Sequence, residues 1–230
     1  MAFRYSPKIV TDGLIFYIDA GNPKSYVSGS TTWYNLIDTV TTATLINSPS
    51  FDSSNAGSIV FDGVNDYIAE TTIGINSGQN FTVNIWFYNQ EGFRGGLISS
   101  GYPYQTNKGW WVFVRQGNQI CISVGQDNRY AFTSNDVLVT NKWYNVVVTV
   151  SAGGDSFALW LNNTSTTWGT DVSPSPLTID YSAKQYTMGR LHGGSDYLEG
   201  KIATASVYNR ILTTAEISQN YNAMKSRFGL

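Results

Sequence analysis

Apolar and polar residues alternate along most of this chain. Phe81, Val83, Ile85 and Phe87 hold one phase of a period-2 pattern and Thr82, Asn84, Trp86 and Tyr88 the other. Trp110, Val112 and Val114 alternate in the same way with Trp111, Phe113 and Arg115, as do Phe157, Leu159 and Leu161 with Ala158, Trp160 and Asn162. Successive side chains of a strand point to opposite faces, so each run predicts a strand with one face in a core. Tyr144 to Val150 is apolar and β-branched in both phases, which predicts a strand covered on both sides. Shorter strands are predicted at Leu14–Asp19, Ser58–Phe61, Tyr67–Glu70, Leu97–Ser99, Gln119–Val124, Ala131–Thr133, Gln185–Gly189 and Lys201–Asn209. Turn residues separate them: Asp62-Gly63, the stretch from Gly92 to Gly96, Gly153-Gly154-Asp155 and His192-Gly193-Gly194-Ser195-Asp196. Many short strands punctuated in this way predict an all-β sandwich or barrel.

The period changes once. Thr213-Thr214-Ala215-Glu216 has the spacing of a capping box, in which the Thr hydroxyl accepts from the Glu N–H and the Glu carboxylate reaches back. Leu212 and Ile217 stand at the staple positions, and Ile217, Tyr221, Met224 and Phe228 follow at helical spacing. One helix over 213–228 is predicted, closed by Gly229 and packed on an edge of the sandwich or else docked on a partner.

Composition narrows the partners. Only 13% of residues are charged and the net charge is −2, with no cluster of Lys or Arg, which argues against a nucleic-acid partner. Neither a signal-peptide pattern at the start nor a run long enough to cross a bilayer is seen, so the chain is expected to be made in a cytoplasm without membrane insertion. Cys121 is the single cysteine, which excludes an intrachain disulfide and reads as a small buried residue.

Several segments carry a resemblance. Phe61-Asp62-Gly63-Val64-Asn65-Asp66-Tyr67, Phe81-Thr82-Val83-Asn84-Ile85-Trp86 and Trp143-Tyr144-Asn145-Val146-Val147-Val148-Thr149 are similar, in that order, to signatures of laminin-G-like, concanavalin A-like jelly rolls. The ending resembles the same family: Gly200-Lys201-Ile202, then Tyr208-Asn209-Arg210-Ile211-Leu212 and Glu216-Ile217. The resemblance implies one two-sheet antiparallel jelly-roll sandwich over 12–230, preceded by an N-terminal arm, 1–11. The opening, from Thr11-Asp12-Gly13-Leu14 to Tyr26 with Thr32-Trp33-Tyr34-Asn35-Leu36, is similar to laminin-G-like proteins of tailed bacteriophages. It implies a virion protein whose partners are other virion proteins or copies of itself. Phe3, Tyr5 and Ile9 give the arm something to bury on a neighbour, although a frayed terminus would look the same.

The fold hosts lectins, adhesins, glycan-active enzymes and virion proteins, so function has to be argued from sites. Glycosidases of this fold carry Glu-x-Asp-x-x-Glu on one strand. Here Glu70, Glu91, Glu199 and Glu216 are the only glutamates and none has a second acid at that spacing, so no hydrolase activity is expected. His192, the only histidine, sits in a Gly-rich turn without catalytic partners. No cofactor is expected. Calcium is the one metal weighed, with oxygens from Asp62, Asn65 and Asp66 and with Asp19 approaching. An Asx-rich turn explains the first three equally well and is the preferred reading. The resemblance supports that preference, because relatives often place an acid just after Gly-x-Ile of the last strand, where this chain has Ala203.

Aromatic residues are 14% of the chain, and Trp86 and Trp143 belong to strand signatures. The better glycan candidates lie near loops: Tyr102, Tyr104, Gln105 and Asn107, with Gln126, Asp127, Asn128 and Tyr130. They combine ring faces for sugar C–H groups with polar side chains for hydroxyls. The expected function is a non-enzymatic virion surface protein, a head decoration or fibre subunit, able to bind host-surface glycan. A compact domain without heptads or fibrous repeats fits decoration better. The alternatives are a carbohydrate-binding adhesin module and, third, a glycan-active enzyme.

Overall fold

The computed structural model describes residues 8–38, 41–70, 73–76, 78–90, 95–101, 109–124, 130–152, 156–172, 186–191, 194 and 196–230. Its strands are β1 (Leu14–Asp19), β2 (Thr32–Tyr34), β3 (Thr42–Ile46), β4 (Ser50–Asp52), β5 (Ser58–Asp62), β6 (Tyr67–Glu70), β7 (Phe81–Asn89) and β8 (Gly95–Ser100). They continue with β9 (Trp110–Arg115), β10 (Gln119–Val124), β11 (Tyr130–Phe132), β12 (Lys142–Val150), β13 (Phe157–Leu161), β14 (Thr164–Thr166), β15 (Thr170–Val172), β16 (Tyr186–Met188) and β17 (Glu199–Tyr208). Helix α1 (Thr214–Met224) follows and runs into a 3-10 turn, Lys225–Phe228.

The strands form two antiparallel sheets facing each other, a jelly-roll sandwich. The back sheet has the order β14-β13-β12-β7-β17-β5-β4, with β1 also on β17. The front sheet runs β15-β11-β10-β9-β8-β16-β6-β3-β2. The alternation assigns the faces. Phe81, Val83, Ile85 and Phe87 of β7 meet Trp110, Val112 and Val114 of β9 in the core between the sheets. Burial of such side chains is worth roughly 1.5–3 kcal/mol each. Strand β12 is covered on both sides, as its composition predicts: Val146, Val148 and Val150 point into the core and Val147 into a second cluster outside the back sheet.

That outer cluster is made by the C-terminal elements. Ile217 packs with Leu212, Tyr208 and Val147. Trp86 stacks on Tyr221 and Phe228, at 5.6 and 4.4 Å between ring centroids. The helix therefore lies over the outer face of the back sheet and not on an edge. The reason is that β7 and β17 present Trp86, Ala203 and Tyr208 outward, an apolar surface that needs cover.

The N-terminal segment is also anchored on its own chain. Val10 N–H donates to Asn220 Oδ1 at 2.7 Å, Tyr208 OH donates to the Val10 carbonyl at 3.0 Å, and Gln219 Nε2 donates to the Lys8 carbonyl at 2.8 Å. Ile9 and Val10 join the Ile217 cluster. Residues 9 and 10 of the arm thus pack their apolar groups on α1 and β17; Phe3 and Tyr5 lie outside the described residues.

Candidate functional site

Of the predicted glycan set, Tyr102, Tyr104, Gln105, Asn107, Gln126, Asp127 and Asn128 lie outside the described residues, as does His192. Tyr130 is described. It pairs with Ser123 on the front sheet, and its ring stacks on Phe132 at 5.9 Å and 7°. The Arg115 guanidinium lies 4.3 Å over the Phe132 ring. Half-buried Tyr130 and Phe132 thus form, with exposed Arg115, a short strip on the outer face of the front sheet. Beside it, Trp111, Phe113 and Cys121 are buried, and Trp111 Nε1 donates to the Gly101 carbonyl at 3.0 Å.

The predicted calcium ligands do not come together as one set. Asp62 Oδ1 accepts from Val64 N–H at 2.8 Å and Asn65 N–H at 3.3 Å, the geometry of an Asx turn between β5 and β6. These N–H groups hold the Asp62 carboxyl below its ordinary value, while burial and the Asp62 charge push Asp66 up. Asp19 sits elsewhere. Strands β1 and β5 lie end to end along one side of β17, with Asp19 opposite Thr204 and Asp62 opposite Glu199, roughly 16 Å apart at the rise of a strand. Asp19 is tied to Arg227 Nη1 at 2.7 Å and accepts from Gly21 N–H at 2.8 Å. With Asp19 so far from the turn and engaged by Arg227, the four residues do not form one calcium site. Among the described residues no three His, Cys, Asp or Glu side chains are grouped to hold a metal.

Other described carboxylates are engaged in structure as well. Asp52 pairs with Lys201 at 2.6 Å. Glu216 takes both terminal nitrogens of Arg210, at 2.6 and 2.9 Å, and completes the capping box with Thr213. These hydrogen bonds and charges hold the Asp52 and Glu216 carboxyls down to about 2.

One concave site escapes the sequence pattern. At the seam where β2 and β3 of the front sheet meet β4 of the back sheet, a pocket of about 350 Å³ opens. Tyr26, Leu45, Pro49 and Phe51 make its apolar floor; the first three are buried and Phe51 is half-buried. The Tyr26 and Phe51 rings lie 5.4 Å apart, tilted by 37°. Exposed Ser28, Thr31, Ser48 and Ser50 set hydroxyls around the rim. Two connections build it. The 26–31 loop is tied by Ser30 N–H to the Val27 carbonyl at 2.9 Å and by Tyr26 OH to the Ser30 carbonyl at 3.1 Å. The crossover from β3 to β4 turns through Asn47 and Ser48, both with positive φ, 65° and 72°. Asn47 Nδ2 holds that turn by donating to the Asn65 carbonyl at 2.8 Å. A left-handed conformation at two successive non-glycine residues costs free energy and persists because the surroundings fix it.

The comparisons agree with this architecture. The family model described as the concanavalin A-like lectin/glucanases superfamily matches residues 62–218. No curated protein matches the chain. Among solved structures, a Trypanosoma rangeli sialidase superposes with a TM-score of 0.69 at 14% identity, covering 95% of this chain and 34% of that one. The botulinum neurotoxin type G receptor binding domain gives 0.65 at 14% identity, covering 91% and 51%. The serotype D binding domain gives 0.67 at 14% identity, with the same coverage. This chain spans a third to a half of those proteins, and at such identity the likeness is one of fold.

Proposed function

Because the chain belongs to the concanavalin A-like lectin/glucanase superfamily, we propose that it is a lectin-like glycan-binding subunit without hydrolytic activity, displayed on the surface of a tailed-phage particle. The seam pocket is the observation that carries the binding part: aromatic and apolar side chains below, hydroxyls at the rim, in a cleft at the small end of ligand-pocket volumes. Similar folds occur in a sialidase and in toxin receptor-binding domains, so catalysis and recognition are both open to this scaffold. Asp19, Asp52 and Glu216 are closed into ion pairs, which favours recognition, since most retaining and inverting glycosidases use two free acids facing one bond. The phage setting rests on the resemblance of the opening from Thr11 to Leu36.

Two measurements test the reading. The purified chain should be retained on a glycan array and release no reducing ends from the glycans it binds; turnover on any of them would overturn the non-catalytic assignment. Antibody labelling of purified particles should mark their surface. Unlabelled particles alongside free protein would leave the adhesin reading in place of the virion one.

A further inference from the structure

We propose that the seam pocket takes an uncharged sugar ring and turns away acidic ones, a specificity that rests on the glycan-binding reading above. The lining contains Tyr, Ser, Gly, Thr, Leu, Pro and Phe and no charged side chain. A pyranose has a C–H face and an equator of hydroxyls. Half-buried Phe51, backed by the buried Tyr26 ring, supplies a ring surface for the face, while Ser28, Thr31, Ser48 and Ser50 supply donors and acceptors for the equator. A sialic or uronic acid would instead bring a carboxylate into a cleft without a cation. Burying a charge unpaired is strongly unfavourable.

The charges nearest along the chain do not change that balance. Asp52, next to Phe51 on β4, is closed into its pair with Lys201, so neither offers a free charge to a ligand. Shape supports the same occupant. At about 350 Å³ the pocket suits one ring of a longer glycan, with the rest of the chain leaving past the exposed rim. The tied 26–31 loop and the locked Asn47-Ser48 turn hold the cleft open before a ligand arrives, which reduces the ordering cost of binding.

The test uses the full chain and an array of immobilised neutral oligosaccharides built on galactose, glucose and N-acetylhexosamine, each printed beside its sialylated form. The expected result is retention on a neutral member and at least tenfold weaker retention on its sialylated partner. Ser28→Trp, at an exposed rim position, should fill the cleft and weaken binding at least tenfold with the melting temperature unchanged. Thr31→Trp does the same from the other side and serves if the first variant fails to fold. Ser50→Arg should narrow the gap between neutral and sialylated forms. Preference of the native chain for the sialylated forms overturns the charge assignment. Neutral binding untouched by both Trp variants overturns the site and leaves the glycan reading standing. Retention on no glycan at all overturns both.

Discussion

Glu216 shows how much one side chain can do here. Its carboxylate accepts from Thr213 N–H at 2.8 Å and receives the Arg210 guanidinium in a fork, so the start of α1 is tied both to its cap and to the end of β17. Thr213→Ala removes the hydroxyl that accepts from Glu216 N–H and should cost about 1 kcal/mol of unfolding free energy, seen as a lower melting temperature. An unchanged melting temperature would mean that packing alone holds the helix. The pH dependence has a definite sign. The folded pKa values of Glu216 and Asp52 lie below the unfolded ones, so their stabilisation is fully present above the ordinary carboxylate range and is lost as pH falls toward about 2. A melting series from pH 6 to 2 should decline over that lower window, and Glu216→Gln with Asp52→Asn should flatten the decline. The capping box is legible in the sequence because it is a contact over three residues. The Asp52–Lys201 and Asp19–Arg227 pairs are not, because folding alone brings together residues so far apart in the chain.

Among the elements, α1 depends on contacts that reach across the chain. Asn220 is buried, accepts from Val10 N–H and donates to Tyr208 OH at 3.0 Å. Asn220→Leu leaves the Val10 N–H without its acceptor and should cost about 1–3 kcal/mol, while Tyr208 OH keeps its bond to the Val10 carbonyl. Amide exchange at Val10 should rise in the same variant; exchange at the native rate would show the N-terminal segment to be held by Ile9 and Val10 burial alone. Phe228→Ala removes the ring stacked on Trp86 and 4.6 Å from Trp143, and a loss of about 3 kcal/mol is expected, with a change in tryptophan emission. The long strands β7, β9, β12 and β17 were readable because each spans several periods. Strands β2, β4, β14 and β15, of three residues each, are too short to show a period, and β3 reads as a polar Thr-rich stretch. The seam pocket was hidden for the same reason, since its walls belong to the 26–31 loop, to β3 and β4 and to the turn between those two strands. Gly95 and Gly96 read as part of a turn but lie in β8, where a Cβ would strike the backbone of Leu198 and Arg190. That close approach is a tertiary demand with no local signature.

At the scale of the whole molecule, the back sheet is assembled around its last strand. One side of β17 takes β7, and the other takes β1 and β5 end to end. Without it the sheet falls into a four-strand piece, β14-β13-β12-β7, the pair β5-β4, and β1 alone. A chain ended at residue 198 should therefore give no cooperative unfolding transition; a sharp transition would show that the front sheet supports a domain by itself. The same placement has a meaning for the growing polypeptide. Strand β7 is complete at Asn89, yet its partner β17 is finished only at Tyr208. At ribosomal rates of about 5–20 residues per second, the open side of β7 waits on the order of ten seconds for the strand that closes it. During that interval the nascent chain presents an unpaired apolar strand to its surroundings, and holding it apart from its sister chains is work for a chaperone or for widely spaced ribosomes.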